Sequence, residues 1–131
     1  MESLQIRTGE LSVRILDDAG NERGIFKFNP TDVNLAKSVI ELQAELEIQQ
    51  KQFEDRVKEC ETDQEKITLM SDVVTYYRGL IDKCFGEGSS QILFGDAVSL
   101  TMFSDFFDGI VPYFEKARKD VKAKYTKAKR Q

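Results

Sequence analysis

Apolar and polar residues change period three times along the chain. In "GELSVRILDD", Leu11, Val13 and Ile15 alternate with Ser12 and Arg14, the two-residue repeat of a half-buried strand. "DDAGNERG" then collects turn formers. "GIFKF" alternates again and places Phe26 and Phe28 on one face. The pattern predicts a β-hairpin within residues 1–28, with Leu4 and Ile6 adding a short third strand. Because a lone hairpin is marginal in water, its apolar face must dock on something.

"FNPTD" marks a switch to helical spacing. Asn29 suits an N-cap, Pro30 the first helical position, and Asp32 the dipole's positive end. A helix is predicted over 30–61, with a stripe of Leu35, Val39, Leu42, Leu46, Phe53, Val57 and Cys60 interrupted at Gln49 and Gln50. At about 45 Å it is long for so small a domain, so part of it projects or packs along another helix. Thr62 and Glu65 have capping-box spacing. They open a second helix, 63–85, whose stripe is Met70, Val73, Val74, Tyr77, Leu80, Ile81 and Cys84. The two helices form an antiparallel helical hairpin.

"FGEGSSQILFGD" spans 85–96 and carries three glycine stops. Ser89 or Ser90 is the expected cap of one short helical turn within a corner over 86–99. Asp96 or Ser99 would cap the last helix, 100–118, which carries Phe103, Phe106, Phe107, Ile110, Val111 and Phe114. Pro112 inside it predicts a kink or restart. Past 118 the stripe gives way to lysines, and 119–131 reads as a frayed basic tail. The expected fold is mainly α with a small N-terminal β-hairpin, a long antiparallel helical hairpin and a C-terminal Phe-rich helix, all in one domain over 1–131.

Composition narrows the chemistry. The chain has 131 residues, 32% charged and 40% hydrophobic, a globular balance. No apolar run is long enough to span a bilayer. "MESLQIRTGE" has no basic-then-apolar leader pattern, and a cytoplasmic protein is expected. Cys60 and Cys84, each among apolar neighbours, read as reduced structural thiols. There is no histidine. That removes Ser-His and Cys-His nucleophile pairs and the commonest metal ligand. Residues 116–131 hold eight Lys/Arg and one Asp, so they carry +7 of a total of −4 and the other 115 residues carry −11. An acidic body with a basic end favours contact with an acidic partner or between copies.

Three features compete for chemistry. "GEGSSQ" lacks the lysine and the preceding strand of a phosphate loop, so a connector is favoured over an anion site. The carboxylates of "LDD" and of Asp105 and Asp108 read as a solvated acidic face. The basic tail has only Tyr125 among its lysines and follows no nucleic-acid-binding motif, which disfavours nucleic acid as a partner. No catalytic, cofactor-binding or metal-ligating residue is assigned. The helical apolar residues are either core or partner surface. Phe103, Phe106, Phe107, Phe114, Leu46 and Phe53 are the partner-binding candidates.

The order of parts — hairpin, "FKFNPTDVNLAK", a Glu/Gln-rich helix, "YYRGLIDKCFGEGSSQILFGD", a helix ending "FFDGIVPYFEKARK", a lysine-rich end — resembles small proteins encoded in the tail modules of phages and prophages of Gram-positive bacteria, the tail assembly chaperones. The resemblance runs from about Phe26 to Lys119 and includes no catalytic motif. It implies a small, helical, non-enzymatic protein that coats the hydrophobic tape measure protein until tail-tube protein polymerises around it, meets other tail proteins, and forms a homo-oligomer. Two rivals remain: a small phage-encoded inhibitor or regulator of a host protein, and an enzyme or ligand-binding protein using "GEGSS".

Overall fold

The computed structural model describes residues 1–129, and side chains through residue 123. Strand β1 (Leu11–Leu16) pairs antiparallel with β2 (Glu22–Phe28), with Val13 opposite Phe26 and Leu11 opposite Phe28. Asp17 closes the turn: its carboxylate accepts from the amides of Ala19 (3.0 Å) and Asn21 (2.8 Å). The expected third strand does not form. Residues 1–10 are in no strand, and Leu4 and Ile6 are 90% and 74% exposed. Alternation supplies a face for a strand but no partner for its backbone, so pattern alone does not decide pairing.

Helix α1 spans Val33–Glu59, three residues later than the sequence suggests. "NPTD" is a turn, with Pro30 at its second position and the Asp32 amide bonded to the Asn29 carbonyl at 3.1 Å. Asn29 spends its side-chain oxygen on Thr31 within that turn, so Asp32 is the cap. Its carboxylate accepts from the amides of Asn34 (2.9 Å) and Leu35 (3.2 Å). Helix α2 spans Asp63–Phe85. Half of its capping box forms as the spacing implies, Thr62 Oγ1 accepting from the Glu65 amide at 3.1 Å, while the Glu65 carboxylate reaches one residue further back, to the Glu61 amide at 3.1 Å. The buried row of α2 is Leu69, Val73, Tyr77 and Ile81 with Val74, while Met70 is exposed. No residue between Leu46 and Leu69 is fully buried, so the tip of the helical hairpin projects.

Helix α3 (Ser89–Phe94) is capped by Gly88 in the left-handed region (φ 88°), not by a serine. Helix α4 (Thr101–Lys129) runs unbroken through Pro112. Position 112 and Asp108, whose carbonyl loses its partner there, are both exposed, so water can replace the missing bond. Neither expected cap closes its first turn as drawn from sequence: Asp96 bonds Gln91 at 3.1 Å, and the Ser99 hydroxyl meets that of Thr101 at 2.9 Å. Residues 119–129 continue α4 where the sequence suggested a frayed tail, and the five lysines and two alanines among them favour helix; 130 and 131 lie outside the described residues.

The core is where the hairpin's inner face, α2 and α4 meet. Phe26 and Phe28 from β2, Ile81 and Val74 from α2, Leu93 and Phe94 from α3, and Phe103, Ile110 and Phe114 from α4 are buried in one cluster. Aromatic contacts join the layers: Phe28 meets Phe114 at 5.8 Å, tilted, and Phe26 meets Phe85 at 5.4 Å, edge-on, between ring centroids.

The corner over 85–96 is held from outside. Asp82 accepts from the Ser90 amide (2.7 Å) and hydroxyl (3.1 Å) at the start of α3. One helical turn earlier on α2, Arg78 donates to the carbonyls of Gly95 (2.6 Å) and Ala97 (2.9 Å) beyond its end. Arg23 of β2 adds a bond to the Leu93 carbonyl at 3.0 Å. An acid at the positive end and bases at the negative end match the helix dipole. Gly86 and Gly95, with φ of 116° and 60°, make the two bends.

Candidate functional site

Helices α1 and α4 do not close fully against each other. Between them lies a groove of about 510 Å³. Its floor is Leu46, Tyr77 and Phe103, and its walls are Phe53 from α1, Phe107 from α4 and Leu100 just before α4. Leu46, Tyr77 and Phe103 are buried by the fold itself, whereas Phe53, Leu100 and Phe107 are half-buried. Gln43, Glu47, Gln50 and Glu54 rim one side, and Ser104 and Asp108 the other. The charged residues of the lining are all acidic. Lys51, between Glu47 and Glu54 in sequence, is exposed and is not part of the lining.

Phe53 shows why the groove is open. It continues the α1 stripe two turns past the point where full burial stops at Leu46. On the facing helix, Phe107 packs its ring against Phe106 at 5.2 Å and leaves its other side to the groove. Beneath them, Tyr77 donates from its hydroxyl to the Leu46 carbonyl at 3.5 Å. Burial first, and then the nearby Glu45 carboxylate, raise the Tyr77 phenol above its ordinary value of 10.0.

The six partner-binding candidates therefore separate. Leu46, Phe53, Phe103 and Phe107 converge on the groove. Phe106 and Phe114 pack instead against the hairpin and the α2–α3 corner: Phe106 meets Phe26 (6.1 Å), Phe85 (5.5 Å) and Phe94 (6.0 Å), and Phe114, two turns beyond Phe107, meets Phe28. Phe114 is fully buried and Phe106 half-buried, and both belong to the core rather than to a docking surface. Sequence reasoning missed Tyr77 and Leu100 as groove residues, because helical spacing shows which face is apolar and not which neighbour leaves it uncovered.

Other features offer less. A larger, polar depression of about 630 Å³ at the α1–α2 corner is lined by Arg56, Cys60, Thr62 and Glu65 among others, and the last two are engaged in capping. The "GEGSS" stretch holds an internal anion already, since Asp82 takes the Ser90 amide. Among the described residues, no three His, Cys, Asp or Glu side chains are placed to hold a metal ion, and no buried side-chain polar atom lacks a partner.

The family model for DUF6673, a family of unknown function, matches residues 21–131. The chain belongs to this family. No curated protein and no solved structure is significantly similar to it. The DUF6673 match begins after β1 and takes in both walls of the groove together with Arg78, Asp82 and α3. No described helix is long and apolar enough to cross a membrane.

Cys84 of the DUF6673 chain is half-buried on α2, with a testable consequence. Burial pushes the Cys84 thiol up from 9.0 to about 11. Between those values the unfolded chain has lost a proton that the folded chain keeps, so stability falls as pH rises from about 9 to about 11. Tyr77 acts in the same direction above 10.0. Urea midpoints measured across this window should fall with pH, and Cys84→Ala should flatten the fall. In the native protein near pH 8, Cys84 should resist iodoacetamide, with about a thousandth present as thiolate. Peptide mass spectrometry that finds Cys84 rapidly alkylated in folded protein would contradict this.

Proposed function

We propose that the protein is a non-enzymatic tail assembly chaperone that acts in the host cytoplasm, binds the tape measure protein through the α1–α4 groove and self-associates. The observation that carries this reading is the groove. Phe53 and Phe107 face each other across a cleft whose floor is already core, so a partner's apolar side chain would complete the packing. Helix-in-groove recognition uses such a cleft, with apolar anchors on one face of the incoming helix. The acidic rim would select segments flanked by Lys or Arg. Releasing a client when tail-tube protein arrives requires modest affinity per copy, with many copies acting together. The resemblance of "CFGEGSSQILFGD" and the Phe-rich helix to tail assembly proteins supplies the identity of the client.

Co-expression with the tape measure protein of the same gene cluster tests this. The two should co-purify, and Phe53→Asp with Phe107→Asp should cut recovery about tenfold while the far-UV circular dichroism is unchanged. A wild-type chain that neither co-purifies with that protein nor raises its solubility sinks the proposal. Stoichiometric capture of one host protein would instead favour an inhibitor or regulator.

A further inference from the structure

We infer that the groove also receives the C-terminal turns of α4 from a second copy of the chain. The inference rests on the groove being a docking site, as proposed above, and names its occupant during self-association.

Charge is the first support. The charged residues lining the groove are Glu47, Glu54 and Asp108, against a segment 116–131 that carries +7. Pattern is the second. In the sequence of that segment Val121, Tyr125 and Ala128 follow Ala117 at intervals of four, four and three residues between lysines, the spacing of an amphipathic pattern. Val121 is 56% exposed, so its apolar surface is not spent on its own fold. Continuity of α4 is the third. The helix runs from Thr101 to Lys129 without a break. Its own first turns form one wall of the groove. Lys129 is then about 30 Å along the axis from Asp108. A helix that leads away from its own groove cannot fold back into it, so the tail reaches only the groove of another molecule.

Such a contact joins unlike surfaces, tail to groove. Copies add head to tail unless the geometry closes a ring or a reciprocal pair. Self-association and client binding then compete for the same cleft. The free protein is held in oligomers, and a client with better anchors displaces the tail.

A charge-swap experiment with full-length chains tests this, read by sedimentation velocity. One variant reverses the groove (Glu47→Lys, Glu54→Lys, Asp108→Lys). The other reverses the tail (Lys119→Glu, Lys122→Glu, Lys124→Glu, Lys127→Glu, Lys129→Glu), taking 116–131 from +7 to −3. The groove positions are exposed, as are the tail positions whose side chains are described, so the fold should survive, and circular dichroism checks that it does. The wild-type chain should exceed its 15.0 kDa monomer mass at low ionic strength and shift toward it as salt rises from about 0.05 to about 0.5 M. Each variant alone should associate at least about tenfold more weakly, and their mixture should recover association. Wild-type protein that is monomeric at low salt overturns the inference. So do folded variants that each retain wild-type mass, or a mixture no larger than its parts. The readout needs no tape measure protein: a failed charge swap beside successful client capture defeats this inference alone, and the converse defeats only the proposed client.

Discussion

Phe103→Ala is expected to lower the unfolding free energy by about 3–5 kcal/mol, the range for truncating a fully buried phenylalanine. The ring is 4% exposed. Its edge contacts run to Tyr77 of α2 and Phe94 of α3, each with centroids at 5.2 Å. Removing it empties the junction where α4 leans on both, and the Tyr77 hydroxyl's bond to the Leu46 carbonyl limits collapse of that ring into the space. Against a total stability of about 5–15 kcal/mol, that is a large share. Urea denaturation gives the value directly, and a loss below about 1 kcal/mol would mean the ring is not structural. Phe107→Ala, four residues on, is the control. Its ring is half-buried and one side faces the groove, so about 1 kcal/mol is expected. The ratio of the two losses separates core from docking surface along a single helix.

What was legible in the sequence was local. Helix α2 begins at Asp63 and ends at Phe85 where the spacing placed it, because Thr62, Glu65 and Gly86 act within a few residues of where they stand. The β1–β2 hairpin is legible for the same reason, its turn being closed by Asp17 itself. Misreadings arise where a distant partner decides. Leu4 and Ile6 alternate correctly and have no strand to join. Leu69 is buried and Met70 is not, since either fits a helical stripe and only the facing helix selects one. At "NPTD" two residues compete to cap, and the turn that engages Asn29 leaves the role to Asp32. The groove lies between these cases. Its residues were legible as apolar positions on helices, but their convergence depends on how far α1 and α4 stand apart, which pattern does not encode. Arg78 and Asp82 gave one faint signal: opposite charges four residues apart just before a glycine-rich corner.

That pair underlies the last prediction: Arg78→Ala should cost about 2–3 kcal/mol, and Arg78→Lys should recover only part of it. The guanidinium spreads its donors over three acceptors: the Gly95 carbonyl, the Ala97 carbonyl and, at 3.2 Å, the Gln91 side chain. It also lies 5.9 Å from the Phe94 ring centroid. A hydrogen bond from a charged donor to the part-buried Gly95 carbonyl is worth more than a neutral one, and truncation strands that acceptor, while the exposed Ala97 and Gln91 acceptors can turn to water. A lysine has the charge without the planar fork, so it cannot hold both carbonyls in the same geometry. The effect should be local as well as energetic. Gly95 adopts φ 60° and ψ −136°, a backbone region open almost only to glycine, and Arg78 grips its carbonyl. Without that grip, hydrogen exchange at 89–97 should speed up while the amides around Val74 and Ile81 stay protected. Unchanged protection across α3 would show that the short helix does not need the arginine. Because Phe94 of α3 carries the ring of Phe103 on α4, loosening α3 also loosens part of the groove's floor. Arg78→Ala should therefore weaken docking there, although Arg78 itself is not among the groove's lining residues.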